Sequence, residues 1–164
     1  MNRTEFNQLM TDLRPKLYRF ALTFTKRTDE ADDVVQDVGM KLWERREALK
    51  SVSSVDAYAM QAVRNCCLDY ARSPRNRSDE LIEAYDSAHE QTPYKMLEHA
   101  DMAAFVKRLI ERLPEQQQMV IRLRDIEGYE LNEIAEILDI NEGAVRTNLS
   151  RARQKIRDEL LKHY

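Results

Sequence analysis

The stretch from Glu130 to Lys162, ELNEIAEILDINEGAVRTNLSRARQKIRDELLK, governs how the chain is read. Leu131, Ile134, Ala135 and Leu138 recur at i, i+3, i+4 and i+7, which predicts a short helix with one apolar stripe. Asp139-Ile140-Asn141 then breaks the pattern. Asn141 stands just ahead of a second periodic run, where its amide oxygen can accept the orphan N–H groups of a new helix. That run is expected to bury Val145, Leu149, Ala152, Ile156 and Leu160, which share a narrow arc at about 100° per residue. Arg146, Thr147, Ser150, Arg151, Gln154 and Arg157 fill the opposite arc. Two short-linked helices with small Ala135 at their crossing describe a helix-turn-helix whose second helix can enter a major groove. An ordinary helical hairpin with a solvated charged face has the same periodicity. Arginines that can lie bidentate on guanine edges, with Thr, Ser and Gln beside them, favour the DNA reading without excluding the hairpin.

The rest of the chain sets the frame. Its 164 residues, 43% hydrophobic, can bury a core or divide into two small domains of roughly 70 residues each. With 3 glycines, 4 prolines and apolar residues at helical spacing almost throughout, the chain is expected to be all-α, as two small helical domains joined by a flexible linker. No apolar run approaches the roughly 20 residues that span a bilayer, and MNRTEFNQ has no signal-peptide character, so a soluble cytoplasmic protein is expected. Cys66 and Cys67 are adjacent on a predicted helix and point about 100° apart, which disfavours a disulfide between them. His89, His99 and His163 are scattered without partners at ligand spacing, so no metal or cofactor is expected.

Net charge is −3, unusual for a protein that grips DNA unaided, because non-specific affinity comes from Lys and Arg neutralising phosphates. Distribution matters more than the sum. Thr28 to Asp37 holds five acids and no base, and Asp79 to Asp101 holds seven acids against Lys95 alone. Bases gather instead at Arg64 to Arg77 and Arg146 to Lys162, which suggests two DNA-facing patches and acidic surfaces left for something else.

In chain order, Phe6, Leu9, Met10, Leu13, Leu17, Phe20, Ala21 and Phe24 make a core stripe that Pro15 either kinks or divides. EADDVVQDVGMKLWER follows, with Val34, Val35, Val38 and Leu42 inward and Asp33, Gln36, Asp37 and Glu44 outward. Met40 and Trp43 lie beside that outward acidic arc rather than with the valines; an acidic face carrying them has the makeup of a protein-binding surface, though Trp43 packing on a neighbouring helix is the competing reading. Ser53 or Ser54 can cap the next helix, whose buried stripe is expected to be Val55, Tyr58, Ala59, Ala62, Val63, Cys66 and Tyr70. Gln61, Arg64, Asn65 and Arg72 form a polar edge that suits a nucleic-acid strand or plain solvent. Periodicity fades from Ser73 to about Pro93, which reads as an acidic linker. Domains are therefore expected at 1–73 and 94–164, with 74–93 between them. The second opens with Leu97, Met102, Phe105, Val106, Leu109 and Ile110; Pro114 divides it from Val120, Ile121, Leu123 and Ile126, and the helix-turn-helix completes it.

EADDVVQDVGMKLWE, AYAMQAVRNCCLDYAR, an acidic linker and RLPEQQQMVIRLRDIEGYELNEIAEILDINEGAVRTNLSRARQKIR, in that order and spacing, strongly resemble the extracytoplasmic-function group of bacterial sigma-70 factors. The resemblance covers nearly the whole chain. It implies an RNA polymerase sigma factor for transcription initiation, a non-enzymatic subunit without cofactor, small-molecule substrate or membrane insertion. Its partners would be core RNA polymerase, promoter DNA and, in many members, an anti-sigma factor. By resemblance the first module is sigma region 2: Asp33, Gln36 and Asp37, with Met40 and Trp43 beside them, would meet the polymerase clamp. Gln61, Arg64, Asn65 and Arg72 would face the −10 element, with Asn65 helping to hold a flipped base. The second module is a helix-turn-helix of winged-helix-like or sigma region 4 type, with Arg146, Thr147, Ser150, Arg151 and Arg153 toward the −35 element. The chain departs from the family pattern at Gly39, where a bulky apolar residue is usual, and at Glu130, where serine is favoured; the loop at Lys50 to Val55 is also short. A stand-alone helix-turn-helix regulator working as a dimer is the alternative, and a nucleic-acid hydrolase, which needs clustered carboxylates or histidines on one surface, a more distant one.

Overall fold

The structure, a computed structural model, describes residues 1–71 and 98–163. The chain divides into two compact units, Met1–Ala88 and His89–Tyr164. Among the described residues the regular elements are all helical.

The first unit is built on α1 (Arg3–Thr25), α2 (Thr28–Glu44) and α3 (Val55–Ala71), with a 3-10 turn at Ala48–Ser51 between the last two. Asn2 starts α1 with a capping box: its side chain accepts the Glu5 N–H at 2.8 Å, and the Glu5 carboxylate accepts the Asn2 N–H at 3.3 Å. Pro15 lies inside a continuous α1, so the helix is not divided. Lys26 closes α1 in the left-handed region at φ 58°.

Each helix packs on the other two. Phe6, Met10, Leu13, Leu17, Phe20 and Ala21 lie in the core with Val34, Val35, Val38 and Leu42 as the periodicities predict, joined by Ala31, while Leu9 and Phe24 of the expected α1 stripe are only half-buried. The α3 stripe differs. Its buried residues are Ala57, Ala59, Met60, Val63, Cys66 and Cys67, whereas Val55, Tyr58, Ala62 and Tyr70 are only half-buried. Because α3 is covered by both α1 and α2, its buried arc is wider than one stripe and displaced from it. Ser54 supplies the cap, accepting the Ala57 N–H at 3.1 Å. A Cβ at Gly39 would meet Met10 Cε at 3.3 Å, so α1 and α2 approach closely where the family pattern has a bulkier residue.

The second unit contains α4 (Glu98–Glu111), α5 (Glu115–Ile121), a π-helical turn at Arg122–Ile126, α6 (Leu131–Leu138) and α7 (Glu142–His163). Val120, Leu123, Ile134, Ile137, Val145 and Ala152 are fully buried. Ile137 replaces the half-buried Leu131 and Ala135 of the expected α6 stripe. The π turn explains a second difference. Widening the helix from the i−4 to the i−5 bond, with Glu127 N–H donating to the Arg122 carbonyl at 3.0 Å, carries Ile126 out to 55% exposure. Ile156 and Leu160, expected in the core, are half-buried along an open apolar groove of about 500 Å³ that they share with Val106, Ile110, Ile121 and Ile126.

Candidate nucleic-acid interface

The turn between α6 and α7 is made by two residues whose local chemistry suits it. Asp139 ends α6 at φ 55°, and its N–H returns to the carbonyls of Ala135 and Glu136. Asn141 then begins α7, its side-chain oxygen accepting the Ala144 N–H at 2.7 Å. Ahead of α6, Gly128 at φ 84° closes the π turn. Arg124 clasps that bend, donating to the Tyr129 carbonyl at 2.8 Å and lying 3.8 Å from the Glu130 carboxylate. Glu130 does more than complement the helix dipole: its N–H donates to the Glu133 carboxylate at 2.9 Å, which helps to fix the first turn of α6.

With α4, α5 and α6 all packed on α7, one side of α7 is left to solvent. Arg146, Thr147, Ser150 and Arg151 are all exposed there, so the first three turns of α7 present four side chains that can reach bases or phosphates. Arg146 makes an i,i+4 ion pair with Glu142 at 3.2 Å, an exposed pair that yields easily to a stronger acceptor. Asn148, half-buried, is tied inward: its Nδ2 donates to the Ala144 carbonyl at 2.8 Å and to Gln116 Oε1 at 3.1 Å, joining α7 to α5. Arg153 is engaged elsewhere. Its Nε donates to Asp125 Oδ2 at 3.1 Å and its Nη2 to Asp125 Oδ1 at 2.5 Å, a two-point pair to the π turn. Sequence patterning gave no sign of Asp125, Gln116 or Asn148, because these contacts span 28 and 32 residues.

The first unit carries two further candidate faces. On α2, Asp33, Gln36, Asp37 and Met40 are exposed together, Met40 at 61%, so an acidic surface includes an apolar side chain with no cover. Trp43 is not free in the same way. Its ring meets Phe6 edge-to-face with centroids 5.0 Å apart, and the Arg46 guanidinium lies 4.0 Å from its centroid while donating to the Trp43 carbonyl at 2.8 Å. On α3, Asn65 is exposed, Gln61 and Arg64 are half-buried, and a long hydrogen bond of 3.5 Å runs from Arg64 Nη1 to Asn65 Oδ1. Arg72 and the expected linker at 74–93 lie outside the described residues.

Cys66 and Cys67 are buried free thiols. Burial raises both, Cys67 to about 12. Neither is a nucleophile or a thiolate ligand near neutral pH. Among the described residues no group of His, Cys, Asp and Glu could hold a metal ion, and no helix is long and apolar enough to cross a membrane.

A helix-turn-helix with an exposed polar and basic second helix, in a chain whose other unit exposes an acidic, Met-bearing face, defines an all-α DNA-binding protein that also has a surface suited to a protein partner. Comparison with known proteins narrows that class. The family model "Sigma-70 region 2" matches residues 9–77, and "Sigma-70, region 4" matches residues 106–156. The chain belongs to the sigma-70 family of RNA polymerase sigma factors, within its extracytoplasmic-function group. It is 28% identical over 156 residues to the RNA polymerase sigma factor SigV of Bacillus subtilis, covering 93% of this chain and 89% of that one. It is 24% identical over 164 residues to "Probable RNA polymerase sigma factor RfaY" of Xanthomonas campestris, of which it spans 41%. Among solved structures, the sigma factor RpoE in complex with the anti-sigma factor NepR from Bartonella quintana superposes with a TM-score of 0.69 at 26% identity, covering 96% of this chain and 97% of that one.

Proposed function

We propose that this chain is a promoter-recognition subunit that acts in the cytoplasm on core RNA polymerase, with no catalytic side chain of its own. The observation that carries this is the separation of roles between the two units. The face of α7 with Arg146, Thr147, Ser150 and Arg151 is built to read duplex DNA, while the face of α2 with Asp33, Gln36, Asp37 and Met40 is acidic and unsuited to it. In this reading α2 docks on the polymerase clamp, Trp43 buttressing that face from its edge. The α3 edge, with Gln61, Arg64 and Asn65 and extended in sequence by Arg72, meets the −10 element, where an unpaired base can be captured. The recognition helix α7 meets the −35 element.

Energetics support a partner-dependent role. A chain of net charge −3 with few basic residues in each patch makes few phosphate contacts, so each module alone binds DNA weakly and with strong salt dependence. Holding both on one large scaffold lets them act together through effective concentration. Strand opening follows if capture of extruded bases offsets the few kcal/mol of unstacking. The acidic α2 face is also open to an anti-sigma protein, the kind of partner found with the Bartonella RpoE.

In vitro transcription with purified chain, core polymerase and a promoter library tests the reading. Initiation from a defined subset of promoters, dependent on both proteins, is the expected result. Tight sequence-specific duplex binding by the chain alone, with no effect on polymerase, would overturn it in favour of a free-standing regulator.

A further inference from the structure

We propose that Asp125 sets the DNA affinity of the second unit by withholding Arg153 from duplex phosphates. This inference rests on the reading of α7 as the recognition helix. Arg153 lies seven residues beyond Arg146, on the side of α7 nearest the Arg146 line, and so close to the face that meets the duplex. Three cations of α7 are paired with carboxylates, and they differ in kind. Arg146 with Glu142 and Lys162 with Glu159 are single contacts within the helix, at 3.2 and 3.3 Å. Arg153 is held at two points by a residue from another element.

The geometry accounts for the difference. A side-on pair through Nε and Nη2 matches the two carboxylate oxygens and fixes the guanidinium plane, where an i,i+4 contact leaves both chains free to swing. The pair is also net neutral, so an approaching phosphate meets little positive potential at this edge although some N–H donors remain open. The π turn makes this arrangement possible, since its extra residue per turn changes the direction in which Asp125 leaves the helix. Both side chains stay partly exposed, Arg153 at 47% and Asp125 at 38%, so the pair contributes little to stability and its effect is on charge.

The test uses the full-length chain and a mixed-sequence DNA duplex of about 30 base pairs, with binding followed by fluorescence anisotropy from about 50 to 200 mM salt. Asp125→Asn is expected to tighten binding roughly three- to tenfold at the lowest salt and to steepen the slope of log K against log salt by about 0.9, the signature of one added phosphate contact. Arg153→Lys, which keeps the charge but loses the fork, is expected to move both quantities the same way from the other side of the pair. Arg153→Gln leaves the Asp125 carboxylate unpaired and is expected to weaken binding modestly, and adding it to Asp125→Asn, which leaves both positions uncharged, should return binding to about the wild-type level. Weaker or unchanged binding in both Asp125→Asn and Arg153→Lys, or a gain from Asp125→Asn that persists when Arg153→Gln is added, would overturn the proposal. Arg151→Ala separates the two levels: if it leaves duplex binding unchanged, the recognition-helix reading itself fails, whereas a loss there with no gain from Asp125→Asn removes only the role of Asp125.

Discussion

The Trp43 indole stands edge-on to the Phe6 ring, centroids 5.0 Å apart and planes at 62°, so the end of α2 is fastened to the start of α1 by an aromatic pair. Edge-to-face pairs contribute about 0.5–1.5 kcal/mol beyond the area they bury. Trp43→Ala is therefore expected to destabilise the chain by about 1–3 kcal/mol, less than a fully buried tryptophan would cost because Trp43 is half-exposed. Trp43→Phe should recover most of the loss. Urea unfolding midpoints of the three proteins check this, and a neutral Trp43→Ala would show that the pair does not anchor α2.

Asp37→Lys is expected to weaken holoenzyme assembly while leaving the fold intact, because Asp37 is exposed on the surface of α2. Met40→Ala should act in the same direction by removing an uncovered apolar side chain. A pull-down with core polymerase, alongside circular dichroism of each variant, makes the measurement; full assembly by both variants would remove α2 from the polymerase-binding role.

Arg151→Ala is expected to lower use of a −35 element by about 1–3 kcal/mol if the guanidinium reads a base edge, and by less if it meets phosphate alone. Equal promoter output from wild type and variant across several −35 sequences would contradict both.

Two backbone positions in the units should respond oppositely to the presence of a Cβ. Asp139 sits at φ 55°, where glycine has no steric penalty, so Asp139→Gly is expected to stabilise by about 0.5–1 kcal/mol. Gly39 lies inside α2 in ordinary helical conformation, where alanine gains about 1 kcal/mol of propensity. The added Cβ would press only on the terminal methyl of Met10, a flexible group that can move by a few tenths of an ångström. Gly39→Ala is thus expected to raise the thermal midpoint, and a drop would mean that Met10 is held more rigidly than its side chain suggests.

With burial pushing Cys67 to about 12 and Cys66 above its ordinary range, both thiols stay protonated near neutral pH. Thiol reagents are expected to label neither at pH 7–8 in the native protein and both in denaturant. Fast labelling of the native chain would show that α3 opens locally.

What could be read in the sequence was local. Asn141 announced the start of α7 because a cap depends only on a side chain and the backbone three residues on. The valines of α2 announced their stripe because that helix buries one face. Met60 and Cys67 escaped because α3 is enclosed from two directions, and Ile126 because nothing in RLRDIEG marks a π turn. The competing readings of Trp43 could not be separated on a helical wheel: the side chain is tied to Phe6 and Arg46 and still partly exposed. Arg153 shares its wheel position with Arg146, and only the fold shows that a carboxylate 28 residues earlier has engaged it.

The turn at Arg122–Ile126 also has a bearing on how such a protein could be retuned. Its i−5 spacing holds one residue more than the α-helical turn it replaces, so deleting one residue there would restore the tighter winding while leaving the flanking segments facing as they do. Where the residue removed is Asp125 itself, Arg153 loses its partner. One edit of the shortest in-frame length would thus convert a neutral edge of the DNA-binding unit into a cationic one, without touching any residue that faces the groove.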